Sequence, residues 1–130
     1  MFKHESITPE NYPILVEWWE KHNMSPVAMD MLPPLGMIIK KNKTPVYAIF
    51  IYLTGTGFAW LGWEVSNPDA LPEQKRGALE YGINQYIPGL KKMGVKVIIT
   101  TTYHKGLVNS LKKINFIVAE TNVVQLIKKI

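Results

Sequence analysis

Between Gly36 and Val65 the chain holds three stretches of strand character divided by two short turns, and this run limits the fold more than any other feature. Gly36 to Lys40 and Pro45 to Leu53 are rich in β-branched and aromatic residues, with the polar turn Lys41-Asn42-Lys43-Thr44 between them. Gly55-Thr56-Gly57 then leads into Phe58 to Val65. Such residues suit a pleated, half-buried surface, and connections this short join antiparallel neighbours. The segment is therefore expected to form a three-stranded antiparallel meander.

After Ser66-Asn67-Pro68 the period of the sequence changes. Leu79, Ile83, Ile87 and Leu90 recur every three or four residues, which predicts a long helix. Pro88-Gly89 is expected to kink or divide it, and Gly94 to end it. Val95 to Thr101 is a nearly continuous apolar and β-branched run, expected as a central strand buried on both faces. Leu107, Leu111 and Ile114 mark a short helix, and Phe116 to Glu120 and Asn122 to Ile127 read as two closing strands around a tight turn.

Before the meander, residues 2–6 are a strand candidate, and Thr8-Pro9-Glu10 carries the signals of a helix start. Tyr12, Leu15, Trp18 and Trp19 continue that helix as one apolar stripe toward His22-Asn23. Residues 23–34, with three prolines and three methionines, lack clear periodicity and read as a loop or a short second helix. The order is β-α-(loop)-β-β-β-α-β-α-β-β. This is an α/β (α+β) chain, expected as one domain over residues 1–130.

Composition narrows the class of function. A chain of 130 residues with 47% hydrophobic and 19% charged residues can bury its own core. No apolar run reaches the length of a membrane-spanning helix. The order Met1-Phe2-Lys3-His4-Glu5 is not that of a signal peptide, so a cytoplasmic location is expected. With no cysteine, thiol nucleophiles, disulfides and cysteine zinc sites are excluded, and three scattered histidines predict no metal site. The net charge of +5 suits an anionic partner, either nucleic acid or a phosphorylated cofactor, or else a solvated surface.

The order of elements resembles that of the GNAT (GCN5-related N-acetyltransferase) superfamily, with the match carried by residues 46–127. In that family the strand before the long helix bulges and splays from its neighbour, and coenzyme A lies in the resulting V. Here that strand is Phe58 to Val65, leading into Ser66-Asn67-Pro68, and Gly62 would suit a bulge. The family signature is Gln or Arg, two residues, Gly, one residue, then Gly or Ala. Gln74-Lys75-Arg76-Gly77-Ala78-Leu79 matches it except at Leu79. Small residues there let the backbone approach a pyrophosphate at a helix N-terminus. Asn109 and Ser110-Leu111-Lys112-Lys113-Ile114-Asn115-Phe116 are similar to the family's later motif, with Leu111 where a Tyr often stands and Asn115 in place of Gly. The abbreviated form also resembles small members found in bacteriophage genomes, which would place the protein in the host cytoplasm.

The resemblance implies an acyl-coenzyme A-dependent N-acyltransferase, with acetyl-coenzyme A as donor and a primary amine as acceptor. It implies cofactor contacts from Val65, Asn67, Gln74, Lys75, Arg76, Gly77, Ala78 and Asn109. Glu64 is the candidate base, as the one acid in an otherwise apolar strand, where burial would raise its pKa. Tyr103 and His104, after the central strand, are further candidates for proton transfer. Residues 23–34 would choose the acceptor. Alternatives are an inactive GNAT-like binding or regulatory module, motivated by Leu79 and Leu111, and a basic nucleic-acid-associated domain, motivated by charge and four tryptophans. The last includes acylation of an amine on modified DNA. An exposed tryptophan or the strand Asn122 to Ile127 could support a homodimer.

Overall fold

Five strands form one sheet in the order β1-β2-β3-β4-β5, as seen in a computed structural model that describes residues 1–130. The strands are β1 (Phe2–Ser6), β2 (Leu35–Lys41), β3 (Thr44–Leu53), β4 (Phe58–Ser66) and β5 (Val97–Ile99). The first four are antiparallel and β5 joins β4 in parallel, so the expected meander is present. Asn42 and Lys43 take positive φ of 49° and 73° in the β2–β3 turn, the geometry that matches the twist of a two-residue hairpin.

Helices cover both faces. Helix α1 (Tyr12–Lys21) buries Leu15, Trp18 and Trp19 against Ile38, Ala48, Phe50 and Val65 on one face. Its start is set by a reciprocal pair, Thr8 N–H to Asn11 Oδ1 at 2.8 Å and Asn11 N–H to Thr8 Oγ1 at 3.2 Å. Residues 8–11 thus form a turn and the helix begins later than Thr8-Pro9-Glu10 suggests. Both Trp18 and Trp19 are buried, as the apolar stripe predicts. Residues 23–34 hold only a short 3-10 turn, Met29–Met31.

The opposite face carries α2 (Pro72–Lys75), α3 (Ala78–Lys92) and α4 (Lys105–Lys112). Leu79, Ile83 and Leu90 of α3 and Leu111 of α4 pack with Met37, Ile39, Ile49, Ile51 and Leu61 of the sheet. Gly82 lets α3 lie close, since a Cβ there would come within 2.6 Å of both Ile39 and Ile49. Pro88 does not divide α3. It sits on the exposed side, so the Asn84 carbonyl that loses its partner faces water rather than the core. Gly94, at φ +80°, ends the helix as expected.

The C-terminal third departs from expectation. The central strand shrinks from Val95–Thr101 to three residues, with Val97 and Ile99 53% and 44% exposed, so it is not buried on both faces. The closing strands Phe116 to Glu120 and Asn122 to Ile127 do not form, and residues 117–130 are exposed. A two-stranded hairpin is marginal in water unless a buried face or a long neighbouring edge supports it. Three residues of β5 provide neither. No helix is long and apolar enough to cross a membrane.

Candidate active site

The site begins with an irregularity in β4. Strands β3 and β4 pair regularly from Leu53↔Ala59 to Phe50↔Gly62, and again at Ala48↔Val65 and Tyr47↔Ser66. In between, Ile49 alone faces both Trp63 and Glu64, which defines a β-bulge. The strained residue is Trp63, at φ +59°, a left-handed backbone that costs a bulky side chain about 1–3 kcal/mol. Two contacts hold it there. Its carbonyl accepts the Trp19 indole N–H at 3.3 Å, and its ring meets Trp60 edge-on with centroids 5.9 Å apart. Gly62 stays in the ladder, contrary to its expected role as the bulge residue. It must be glycine for another reason: a Cβ would lie 2.9 Å from the Trp60 ring.

On its other side β4 separates from β5. The two pair at Phe58↔Val97, Ala59↔Ile98 and Trp60↔Ile99. A last tie runs from the Thr100 hydroxyl to the Leu61 carbonyl at 2.7 Å. Beyond it no ladder joins the strands, and the bulge lies alongside this opening. Val65 belongs to the layer beneath α1, so by alternation Glu64 points to the α3 side of the opening.

There the Glu64 carboxyl is poorly compensated. Its Oε2 atom is buried and has no hydrogen-bond partner. Burial pushes its pKa up to about 7, with weaker opposing contributions from its own backbone amide and from Thr100, whose single proton is directed to Leu61. Burial and the Glu64 charge also push the Tyr47 phenol above its ordinary range.

The segment leading into α3 differs from a free glycine-rich loop. Gln74 N–H, Lys75 N–H and Arg76 N–H donate to Leu71 and Pro72 carbonyls within the α2 turn, and Gln74 Oε1 accepts the Leu71 N–H at 2.7 Å. The backbone amides of Gln74, Lys75 and Arg76 are therefore not free donors, and the Gln74 side-chain oxygen is taken up locally. Asn67 is likewise occupied, donating to the Pro45 carbonyl at 2.9 Å and accepting the Asp69 N–H at 2.9 Å. The donors that remain are the first-turn amides of α3, which have no intrahelical acceptors. Gly77, at φ +85°, opens that helix, is exposed, and presents no side chain. Lys75 and Arg76 stand just before it without an ion-pair partner. Ala78 and Leu79 are buried in the core, so a leucine at this position leaves the helix terminus open.

Other predicted residues are dispersed. Tyr103 is 87% exposed and stacks on His104 at 4.8 Å, and no hydrogen bond links either to Glu64. Asn109 is exposed on α4. Leu111 is buried in the core on the α3 side, so its position in the helix serves packing. Asn115, at φ +74°, ends the turn after α4 in the left-handed conformation expected of it. Sequence reasoning missed Thr100, Tyr47 and the Trp19–Trp63 contact. None has a spacing signal, since each acts through a partner distant in the chain.

No protein-family model matches this chain, and neither does any curated protein. Solved structures match by shape. Ard1 from Thermoplasma volcanium superposes with a TM-score of 0.71 at 9% identity, over 92% of this chain and 84% of that one. The ribosomal-protein-S18-alanine N-acetyltransferase of Escherichia coli gives 0.66 at 14% identity, over 88% and 77%. N-acetylglutamate synthase from Neisseria gonorrhoeae, in complex with coenzyme A and N-acetyl-glutamate, gives 0.66 at 10% identity over 86% of this chain. Only 28% of that larger chain is covered. Identities this low establish shape alone, and the shape is that of the GNAT acetyltransferases.

Proposed function

We propose that this chain, built on the GNAT fold, is an acyl-coenzyme A-dependent N-acyltransferase acting on a primary amine, with acetyl as the acyl group. The observation that carries the reading is Glu64, a carboxyl with a buried, unpartnered oxygen placed by a bulge beside the opening between β4 and β5. A carboxylate with a pKa of about 7 is matched to taking a proton near neutral pH. A purely structural carboxyl would be expected to have its partners.

The residues present fit a coenzyme A thioester. The opening offers a slot, the α3 terminus offers amides and a helix dipole, and Lys75 and Arg76 offer charge for phosphate. Acetyl-coenzyme A, when bound, supplies the activated carbonyl. Glu64 takes a proton from the acceptor ammonium, directly or through water. The freed amine forms the C–N bond as the C–S bond breaks, the departing thiolate takes a proton from water, and the resulting hydroxide takes the second proton from the acylated nitrogen. Leu111 leaves no phenol for that last transfer.

A thermal melt tests the reading directly. Acetyl-coenzyme A at a hundredfold excess over its dissociation constant should stabilise the chain by about 2.7 kcal/mol, several degrees for this size. Thiol release should then depend on an added amine. No shift at millimolar cofactor would reject the assignment. A shift with no release across an amine panel would leave a binding module.

A further inference from the structure

The face of the opening away from α3 carries a surface that the chemistry above does not use. Alternation along β4 and β5 puts Phe58, Trp60, Val97 and Ile99 on this side, because Ala59, Leu61 and Ile98 pack on the other. Tyr52 joins them from β3, with its ring centroid 5.7 Å from that of Trp60, and Trp60 in turn meets Trp63 at 5.9 Å. Helix α1 buries Val65 but does not cover this end: Phe58, Val97 and Ile99 are 40%, 53% and 44% exposed. Trp60 and Trp63 are half-buried, whereas Trp18 and Trp19 are fully in the core. None of the side chains on this surface is charged.

Two features tie the surface to the reacting centre. Trp60 occupies the last paired position before β4 and β5 separate, and Trp63 is the bulge residue next to Glu64. The Tyr52 hydroxyl donates to the Met31 carbonyl at 2.7 Å, which fixes the 3-10 turn beside the same rings. Aromatic rings with a methionine-bearing turn bind flat apolar groups through area and stacking.

We infer that Tyr52, Trp60 and Trp63 form the acceptor platform, and that the acceptor is a primary amine carried on an aromatic or comparably apolar body. This deepens the acyltransferase reading and rests on it. Trp60 is a specificity-determining residue in this arrangement. It holds the apolar body while the amine extends into the opening toward Glu64. Polyamines, amino sugars and acidic amines find no matching charge on the platform and are discriminated against.

The test separates binding from turnover. Tryptophan fluorescence is followed during titration with 2-phenylethylamine, with unreactive 2-phenylethanol, and with spermidine, all without cofactor. The two ring compounds should give saturable changes and spermidine none. Trp60→Ala should weaken ring binding roughly tenfold and Trp60→Phe should restore most of it, a range set by aromatic contacts plus lost area. With acetyl-coenzyme A present, Trp60→Ala should raise KM for 2-phenylethylamine by a similar factor with kcat nearly unchanged. Unaltered ring binding in a folded Trp60→Ala variant, or tighter binding of spermidine, overturns the inference. So does fluorescence that depends on protein concentration but not on the ring compounds, which would assign the surface to a second copy. Failure of the ring compounds alongside a normal acetyl-coenzyme A melt shift rejects the platform and leaves the acyltransferase reading standing. Ring binding without any cofactor shift does the reverse.

Discussion

Strand β4 has two seams, and beyond Trp60 they differ. Toward β3 it is zipped from Ala59 to Ser66, interrupted only where Ile49 faces Trp63 and Glu64. Toward β5 it is zipped for three residues and then opens. The first seam is lined by residues with almost no exposure, such as Ile49, Ile51 and Leu61, while the second is flanked by Val97 and Ile99 with half of their surface in water. The comparison separates two tasks. One seam holds the strand, so the other can be left open, and Glu64 lies at the bulge alongside that opening.

The largest expected effect breaks the comparison at its functional end. Glu64→Gln should lower amine-dependent thiol release by about 10²–10⁴-fold, the usual contribution of a positioned base, while keeping the acetyl-coenzyme A melt shift. Undiminished turnover would remove Glu64 from the reaction. In the wild type, kcat/KM should rise with pH through an inflection near 7, as the carboxyl loses its proton.

Next come the seams themselves. Ile51→Ala, at 1% exposure on the closed seam, should cost about 2–5 kcal/mol in urea denaturation. Ile99→Ala, at 44% exposure on the open one, should cost less than about 1 kcal/mol, because little buried area is lost. Equal costs would mean that the open seam is covered in solution.

A third effect is linked to pH. The folded-state pKa of Glu64 is raised from 4.5 to about 7, so between those values the native state holds the extra proton and stability falls as pH rises. Relative to Glu64→Gln, the wild type should lose up to about 3 kcal/mol on going from pH 4.5 to 7, as the shift of about 2.5 units is worth ~1.4 kcal/mol each. Melts of the two proteins across this range would measure it, and parallel curves would contradict the burial of the charge. A last effect, also small, belongs to Thr100. Thr100→Val should cost about 1 kcal/mol by removing the bond to Leu61, measured in the same urea denaturation, and an unchanged midpoint would mean that this tie does not hold β5 to β4.

How far the sequence could be read follows the same divide. The meander, α1, α3 and α4 were legible because each has a hydrophobic period of its own, as in Leu79, Ile83 and Leu90. Glu64 stood out as a lone acid in an apolar strand. The bulge was misplaced at Gly62 because glycine signals backbone freedom, while the residue that takes the unusual conformation is Trp63, held by an indole 44 positions away in the chain. Gln74 and Asn67 match a motif by spacing, yet their side chains are taken up by Leu71 and by Asp69 and Pro45, which spacing does not reveal. The closing strands failed for a related reason. Alternating residues in 116–127 describe what could pair, and a strand exists only if an edge receives it.

Trp63 can be viewed as an insertion. If it is skipped, Gly62, Glu64 and Val65 alternate between the faces as in an ordinary strand, with valine still beneath α1 and the carboxyl still opposite. Deleting this one residue should therefore leave a foldable sheet with a flat strand in the middle. The left-handed kink at Trp63 would then be a single-residue acquisition, separable from the architecture that carries it.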